Sequence, residues 1–312
     1  MTSLRNNTAL FNPTRVVAMA GISAVYLLLS YILIGFKPDQ ISLVFLVNGF
    51  YFSSHTTRKF ITAFSVFIIF WIIFDYMKAF PNYRYNSVHI ESLYQAEKKL
   101  FGIYEQGALI TPNEYWLRHG HIFLDLLTGL FYLCCVPVPL AFAGYLFFKH
   151  RTAFLQFSLT FLFVNLIGFA VYYIYPAAPP WYVQQHGFQF LPATPGNTGG
   201  LEKFDLFFGI GIFSSLYSKS SNVFAAMPSL HASYPLIVLF YAIKYKMGWM
   251  KWVFAVIMTG IWFSAIYSSH HYVLDVLAGI VCAVTGILLF QWAIIKSNSL
   301  KKGLQMFVRA IE

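Results

Sequence analysis

The chain has 312 residues, 58% of them hydrophobic and 10% charged, with a mean hydropathy of +0.63 and a net charge of +10. A soluble domain carries about 25% charged residues, so the composition excludes an ordinary globular core and points to a polytopic membrane protein. The basic residues sit at the ends of apolar runs, where they set topology rather than bind nucleic acid.

In chain order, residues 16–36 form the first run long enough to cross hydrocarbon as a helix, which takes about 20 residues. No small-residue cleavage pattern follows it, so it reads as a retained helix rather than a signal peptide. Residues 41–52 are a shorter run, about 18 Å as a helix, which reads as a thinned or tilted crossing or as a re-entrant piece. Runs at 60–80, 122–148, 153–175, 224–243, 250–267 and 273–295 complete the series. Backbone polar groups in lipid must satisfy one another, which makes these spans helices. The expected fold is therefore all-α, a polytopic membrane helix bundle with seven crossings, or eight if 41–52 spans.

Three basic clusters, at Lys149–Arg151, at Lys244, Lys246 and Lys251, and at Lys296, Lys301, Lys302 and Arg309, become cytoplasmic by the positive-inside rule. Arg5, Arg15, Arg58 and Lys59 fit the same side if 41–52 crosses, which favours eight. Segments 81–121 and 176–223 then lie outside the cytoplasm. We expect one membrane domain: an N-terminal helical hairpin at 1–58, a catalytic bundle at 59–295 and a cytoplasmic tail at 296–312. Cys134, Cys135 and Cys282 fall inside apolar runs as small hydrophobes. No metal-ligand spacing, disulfide framework, internal repeat or low-complexity tract is present.

Ionisable residues in or at the ends of spans are costly and mark function by default. Three segments concentrate them on the non-cytoplasmic side. In Ala226-Met227-Pro228-Ser229-Leu230-His231-Ala232-Ser233, proline suits a helix's first turn, with Asn222, Ser220 or Ser221 as candidate caps. His231 then lies near a helix start whose N–H groups and dipole favour an anion; the plain alternative is a capping turn with an interfacial histidine. In Ser268-Ser269-His270-His271-Tyr272-Val273-Leu274-Asp275, His271 and Asp275 are four apart and share a helical face. A carboxylate on Nδ1 would leave Nε2 exposed as a base or nucleophile, unless the pair only joins helices. In Tyr175-Pro176-Ala177-Ala178-Pro179-Pro180-Trp181-Tyr182, the prolines end a span and the two aromatics read first as headgroup-depth anchors.

Together these segments resemble the lipid phosphatase/phosphotransferase superfamily typified by type 2 phosphatidic acid phosphatases, and within it the fungal inositol phosphorylceramide synthases. Pro-Pro-Trp-Tyr after a span, the Met-Pro-Ser-Leu-His turn and His-His-Tyr-x-x-Asp opening the last span recur there in this order. Gly200-Leu201-Glu202-Lys203-Phe204-Asp205 and Val223-Phe224 extend the resemblance, which covers about 153–295, with a weaker echo at His121-Ile122-Phe123-Leu124-Asp125-Leu126-Leu127. It implies a six-helix phosphatase-like core with one or two N-terminal helices added. By position, His271 resembles the nucleophile that attacks phosphorus, Asp275 its orienting carboxylate, and His231 the acid that protonates the leaving alkoxide and then acts as base. It implies no metal and no cofactor.

The phosphatase branch carries Lys-x6-Arg-Pro and an arginine shortly before the second histidine. This chain has no Arg-Pro, and Ala265 stands where that arginine would be, beside Ser264. The synthase branch departs in the same way. Phosphate charge must then be met elsewhere, with Lys203 the first candidate and Arg118 the second; Arg84, Lys98 and Lys99 lie on the same face. Ser229, His270, Trp181 and Tyr182 complete the candidate substrate contacts. Asp125, one turn inside a span, either holds an acceptor or sugar hydroxyl or pairs with Arg118 or Arg84. The expected function is transfer of an inositol phosphate, or a similar headgroup, from a phospholipid donor to a ceramide-like acceptor, with an accessory subunit left open. Two alternatives remain: lipid phosphate hydrolysis through the same phosphohistidine, and a proton-coupled transporter, which would spread its polar residues through the bilayer depth.

Overall fold

The computed structural model describes residues 10–192, 194–218 and 222–312; Arg5, Ser220 and Ser221 lie outside them. Two helices open the chain, α1 (Pro13–Ile34) and α2 (Pro38–Ser53), each with proline in its first turn, where the missing N–H leaves no bond unmade. The short run expected at 41–52 is thus a 16-residue helix, about 24 Å long. Helix α3 (His55–Tyr76) follows at once, because the Ser54 hydroxyl caps Thr57 N–H at 3.0 Å. Polar contacts join these helices where lipid offers no partner: Asn48 donates to the Ser23 hydroxyl at 3.0 Å, and Ser30 pairs with the Tyr76 hydroxyl at 2.9 Å.

Outside the spans lie α4 (Glu91–Phe101), a two-stranded antiparallel ribbon of β1 (Ile103–Glu105) and β2 (Ala108–Ile110), and α5 (Pro112–Arg118). The run expected as one helix at 122–148 is two, α6 (Ile122–Leu133) and α7 (Pro137–Lys149). Pro137 has no N–H to donate to the Leu133 carbonyl, so the helical ladder is interrupted there. The chain therefore tightens through Cys134 and Cys135, whose N–H groups donate to Phe131 and Tyr132 carbonyls.

Helix α8 (Arg151–Ile174) is the axis of the bundle. It packs against α3, α7, α12 (Leu230–Lys244) and α14 (Val273–Lys296). Its buried Phe154, Phe157 and Phe161 interlock with Phe64, Phe67, Phe142 and Phe147. Between α8 and α12, Tyr234 donates to Asn165 at 2.9 Å and Thr160 pairs with Tyr241 at 2.7 Å. Among the described residues, six helical segments are long and apolar enough to cross a membrane, and α12 is a shorter apolar helix of 15 residues. Outward-facing Val25, Ile69, Trp71, Phe148, Val281 and Leu288 are exposed, as lipid-facing surface is. The chain is a multi-pass, all-α membrane protein.

Helix α9 (Pro180–His186), α10 (Glu202–Phe208) and α11 (Ile212–Tyr217) fill segment 176–223, and α13 (Met250–Tyr267) precedes α14. The expected tail is a docked helix, α15 (Asn298–Ile311), capped by Ser297 and seated through Leu304, Val308 and Ile311 against α8, α14 and α3. Lys59 reaches the Glu312 carbonyl from α3. Glycine is required where α12 meets α14: a Cβ on Gly279 would stand 2.1 Å from the Ser229 carbonyl oxygen.

Candidate active site

The two histidine segments meet at one end of the bundle. Ser229 caps α12, its hydroxyl accepting from Ala232 N–H at 3.3 Å, so Pro228 lies just outside the helix rather than in its first turn. Asn222, a candidate cap, instead accepts from Phe224 N–H and donates to Asn82. His231, second residue of α12, points Nδ1 at Nε2 of His271, 3.3 Å away. Ser229 N–H donates to the Asp275 carbonyl at 2.8 Å, and the Ser233 hydroxyl to the Gly279 carbonyl at 2.8 Å. Those bonds dock the start of α12 on the first turns of α14.

His271 ends the turn Ser268–Tyr272. Its N–H and that of His270 both donate to the Ala265 carbonyl, at 3.0 and 3.1 Å. Ala265 is fully buried, so its position leaves no room for an arginine side chain. Asp275 Oδ2 accepts from Tyr272 N–H at 2.9 Å and lies 3.6 Å from His271 Nδ1. Among the described residues, His271 Nδ1 and Asp275 Oδ1 are buried atoms without a hydrogen-bond partner. An unpaired buried donor or acceptor is costly, and a small ring rotation would pair Nδ1–H with the carboxylate.

Two residues unnoticed in the sequence hold this turn from segment 81–121. The buried Asn113 donates to the carbonyls of Ile266 (2.7 Å) and His271 (2.9 Å). The carboxylate of Glu97, fully buried, accepts from Val273 N–H (2.9 Å) and Leu274 N–H (3.1 Å) at the start of α14. Burial pushes the Glu97 carboxyl up to about 7 against the lowering effect of those two bonds. These contacts join residues 158 and 176 apart, a separation that leaves no periodic trace in sequence.

The remaining candidates divide. His270 Nε2–H donates to the Thr198 carbonyl at 2.8 Å and its ring stacks on Tyr217 at 4.4 Å, so it latches segment 176–223 beside the site. Tyr132 lies against His231 and His270 and bonds the Tyr217 hydroxyl. Asp125 pairs with neither Arg118 nor Arg84. It accepts from Lys203 (3.2 Å) and from the Tyr267 hydroxyl (2.7 Å), because α10 packs onto α6 and brings Lys203 in. Arg118 is half-exposed and pairs with Glu105 at 3.0 Å, outside the histidine cluster. Trp181 and Tyr182 are not headgroup anchors. Both are buried with Ile90, Ala178 and Phe224 under segment 81–121, and the Trp181 N–H donates to the Ser269 carbonyl at 2.9 Å.

The arrangement offers paired imidazoles, one backed by a carboxylate, at a helix N-terminus. Such a site can bind a phosphate ester and exchange groups on phosphorus. The model of the PAP2 superfamily matches residues 91–289. The phosphoinositol dihydroceramide synthase of Bacteroides thetaiotaomicron is 46% identical over 293 residues, 93% of this chain and 96% of that protein. The inositol phosphorylceramide synthase catalytic subunit of Saccharomyces cerevisiae is 30% identical over 230 residues, 72% of this chain and 54% of that protein. The inositol phosphorylceramide synthase of Candida albicans is 33% identical over 168 residues, 52% of this chain and 35% of that protein. No solved structure matches the chain. Matched over most of its length by the family model and over nearly all of it by a synthase, the chain belongs to the PAP2 superfamily.

Proposed function

We propose that this protein moves a phosphoinositol headgroup from an inositol phospholipid to the primary hydroxyl of a dihydroceramide-like lipid, with His271 as the nucleophile. The observation that carries the reading is the pairing of His271 Nε2 with His231 Nδ1 at 3.3 Å, with Asp275 behind the other nitrogen of His271. In the first displacement the Nε2 lone pair forms a bond to phosphorus while the phosphorus–oxygen bond to diacylglycerol breaks. His231 gives its proton to the departing oxygen. In the second, His231 takes the proton of the incoming hydroxyl, that oxygen bonds to phosphorus, and the phosphorus–nitrogen bond to His271 breaks. Asp275 holds His271 in the tautomer that keeps Nε2 nucleophilic and offsets the positive charge on the phosphorylated ring. The start of α12 supplies an anion-stabilising field. Lys203 of α10, held by Asp125, is the cation assigned to the phosphate.

On the same reading, residues 10–53 form an N-terminal hairpin appended to the catalytic bundle. The histidine end faces away from the cytoplasm, since Lys149, Arg151, Lys244, Lys251 and Lys296 lie at the other ends of the spans; α15 is then cytoplasmic. The test is product analysis of purified protein given phosphatidylinositol and a fluorescent ceramide, beside His271→Ala. A phosphorylated fluorescent ceramide that requires His271 supports the transferase. Release of inorganic phosphate from a lipid phosphate, without that product, replaces it with hydrolysis.

A further inference from the structure

Segment 176–223 reads from sequence as an extramembrane loop, yet part of it lies deep along a span. Phe204 of α10 packs onto Gly129 of α6, where a Cβ would stand 2.2 Å from its ring. Phe213 and Tyr217 of α11 reach Tyr132. Gly129 and Tyr132 are seven and ten residues beyond Ile122, about 10 and 15 Å along the helix. The α6–α7 segment has 28 residues, at most about 42 Å given its break before Pro137, and overhangs a hydrocarbon core of about 30 Å by at most about 6 Å at each end. The contacts therefore fall at least about 4 to 9 Å below the hydrocarbon boundary.

A second measure agrees. Lys244, bonded to Gln156 and Gln291, marks the opposite boundary at the end of α12. His231 is thirteen residues back, about 20 Å, which leaves it about 10 Å short of the boundary on its own side. The histidines and the α10–α11 hairpin thus share one depth.

The hairpin is built for that depth. Its outer face carries Leu206, Phe207, Phe208, Ile210, Ile212 and Leu216, all 40–72% exposed. Phe123 and Leu130 of α6, the helix on which α10 packs, are exposed apolar residues as well. The carboxylate at the hairpin's centre is satisfied within it, as hydrocarbon requires of a buried charge, while Glu202 and Lys203 stand at the hairpin's start. The buried Asp205 carboxylate accepts from Phe213 N–H, Ser214 N–H and the Ser214 hydroxyl at 2.9–3.2 Å, and Gly209 turns the chain in the left-handed region. At its end Tyr217 stacks on His270, beside the nucleophile.

We propose that the α10–α11 hairpin is a re-entrant element immersed in the bilayer, and that its apolar face seats the acyl chains of the lipid acceptor as it moves from the leaflet to His231 and His271. The second half rests on the transferase reading of the site; the first does not. The test has two arms. In a Cys134→Ala background, Phe207→Cys is labelled with bimane in phosphatidylcholine vesicles containing phosphatidylcholine nitroxide-labelled at acyl carbon 5, with Tyr104→Cys on the exposed ribbon as the aqueous control. Immersion predicts quenching of the Phe207 site by the nitroxide lipid at least twofold above quenching by iodide, and the reverse at Tyr104. Quenching at Phe207 by iodide alone overturns the immersion, and so does quenching by neither, which would mean a second protein covers the face.

In the other arm, Phe207→Ser with Phe208→Ser is assayed with long-chain and two-carbon ceramides. The expected result is a KM at least fivefold higher for the long-chain acceptor, with kcat and the short-chain KM within twofold of wild type. Equal losses on both acceptors overturn the seating of acyl chains. Quenching needs no turnover, so a protein that makes no phosphorylated ceramide removes the transferase reading without touching the immersion.

Discussion

Replacing Gly279 by alanine tests whether the spacing of the two helices bearing the histidines is set by a missing methyl group. The added Cβ would stand 2.1 Å from the Ser229 carbonyl oxygen, a backbone atom that no rotamer change can move, whereas ordinary contact begins at 3.4 Å. The start of α12 must therefore retreat from α14 by about 1.3 Å. That shift strains the bond from Ser229 N–H to the Asp275 carbonyl and pulls His231 from His271. Overpacking of this kind costs about 1–3 kcal/mol, while a displacement of about 1 Å at reacting groups costs about 100-fold in rate. The expected outcome is a kcat about 100-fold lower, with KM for both lipids within about threefold. The assay is headgroup transfer to fluorescent ceramide by purified protein, with thermal unfolding measured in parallel. Gly144→Ala, whose Cβ would meet open space, is the control. A folded Gly279→Ala protein with kcat within threefold of wild type would refute the claim that this contact sets the histidine geometry.

The site yields further expectations. His271→Ala should abolish transfer while the protein stays folded; retention of a tenth of wild-type activity would remove the nucleophile assignment. Asp275→Asn should keep a slow enzyme, down by about 10²- to 10⁴-fold, because it disturbs both tautomer and charge, and near-normal turnover would dissolve the dyad. Lys203→Met should raise KM for phosphatidylinositol by about tenfold; an unchanged KM would confine Lys203 to holding Asp125. Burial lifts the Glu97 carboxyl from 4.5 to about 7, so the folded chain holds a proton there that the unfolded chain has lost. The stability this contributes is complete below about pH 4.5 and is lost as pH rises through 7. Glu97→Gln should flatten the change in unfolding temperature between pH 5 and 8, and an unaltered pH profile would contradict the assignment.

The spans, and the proximity of His271 to Asp275, were legible because each leaves a local signature. Long apolar runs announce helices in lipid, and His271 with Asp275, one turn apart, announces a dyad. What escaped was set by tertiary distance or by depth. Asn113 and Glu97 act on a turn more than 150 residues away. The pairing of Asp125 with Lys203 depends on α10 lying along α6, so the nearer arginines were the wrong partners. Trp181 and Tyr182 have the composition of membrane-surface anchors, and only the fold of segment 81–121 over them makes them core. Pro137 marks the break in the third long run, whose hydropathy is unbroken on either side and so conceals it.

The attachment of the catalytic turn to upstream residues bears on how the enzyme is made. His271 and Asp275 belong to the start of α14 and the turn before it, while Asn113, Glu97 and the start of α12 that receive them are synthesised earlier. A nascent chain that has not yet reached α14 therefore holds His231 without the histidine it pairs with. Arrival of α14 is what completes the histidine pair, so the order of synthesis delays assembly of the candidate site until the helices that receive it are already made.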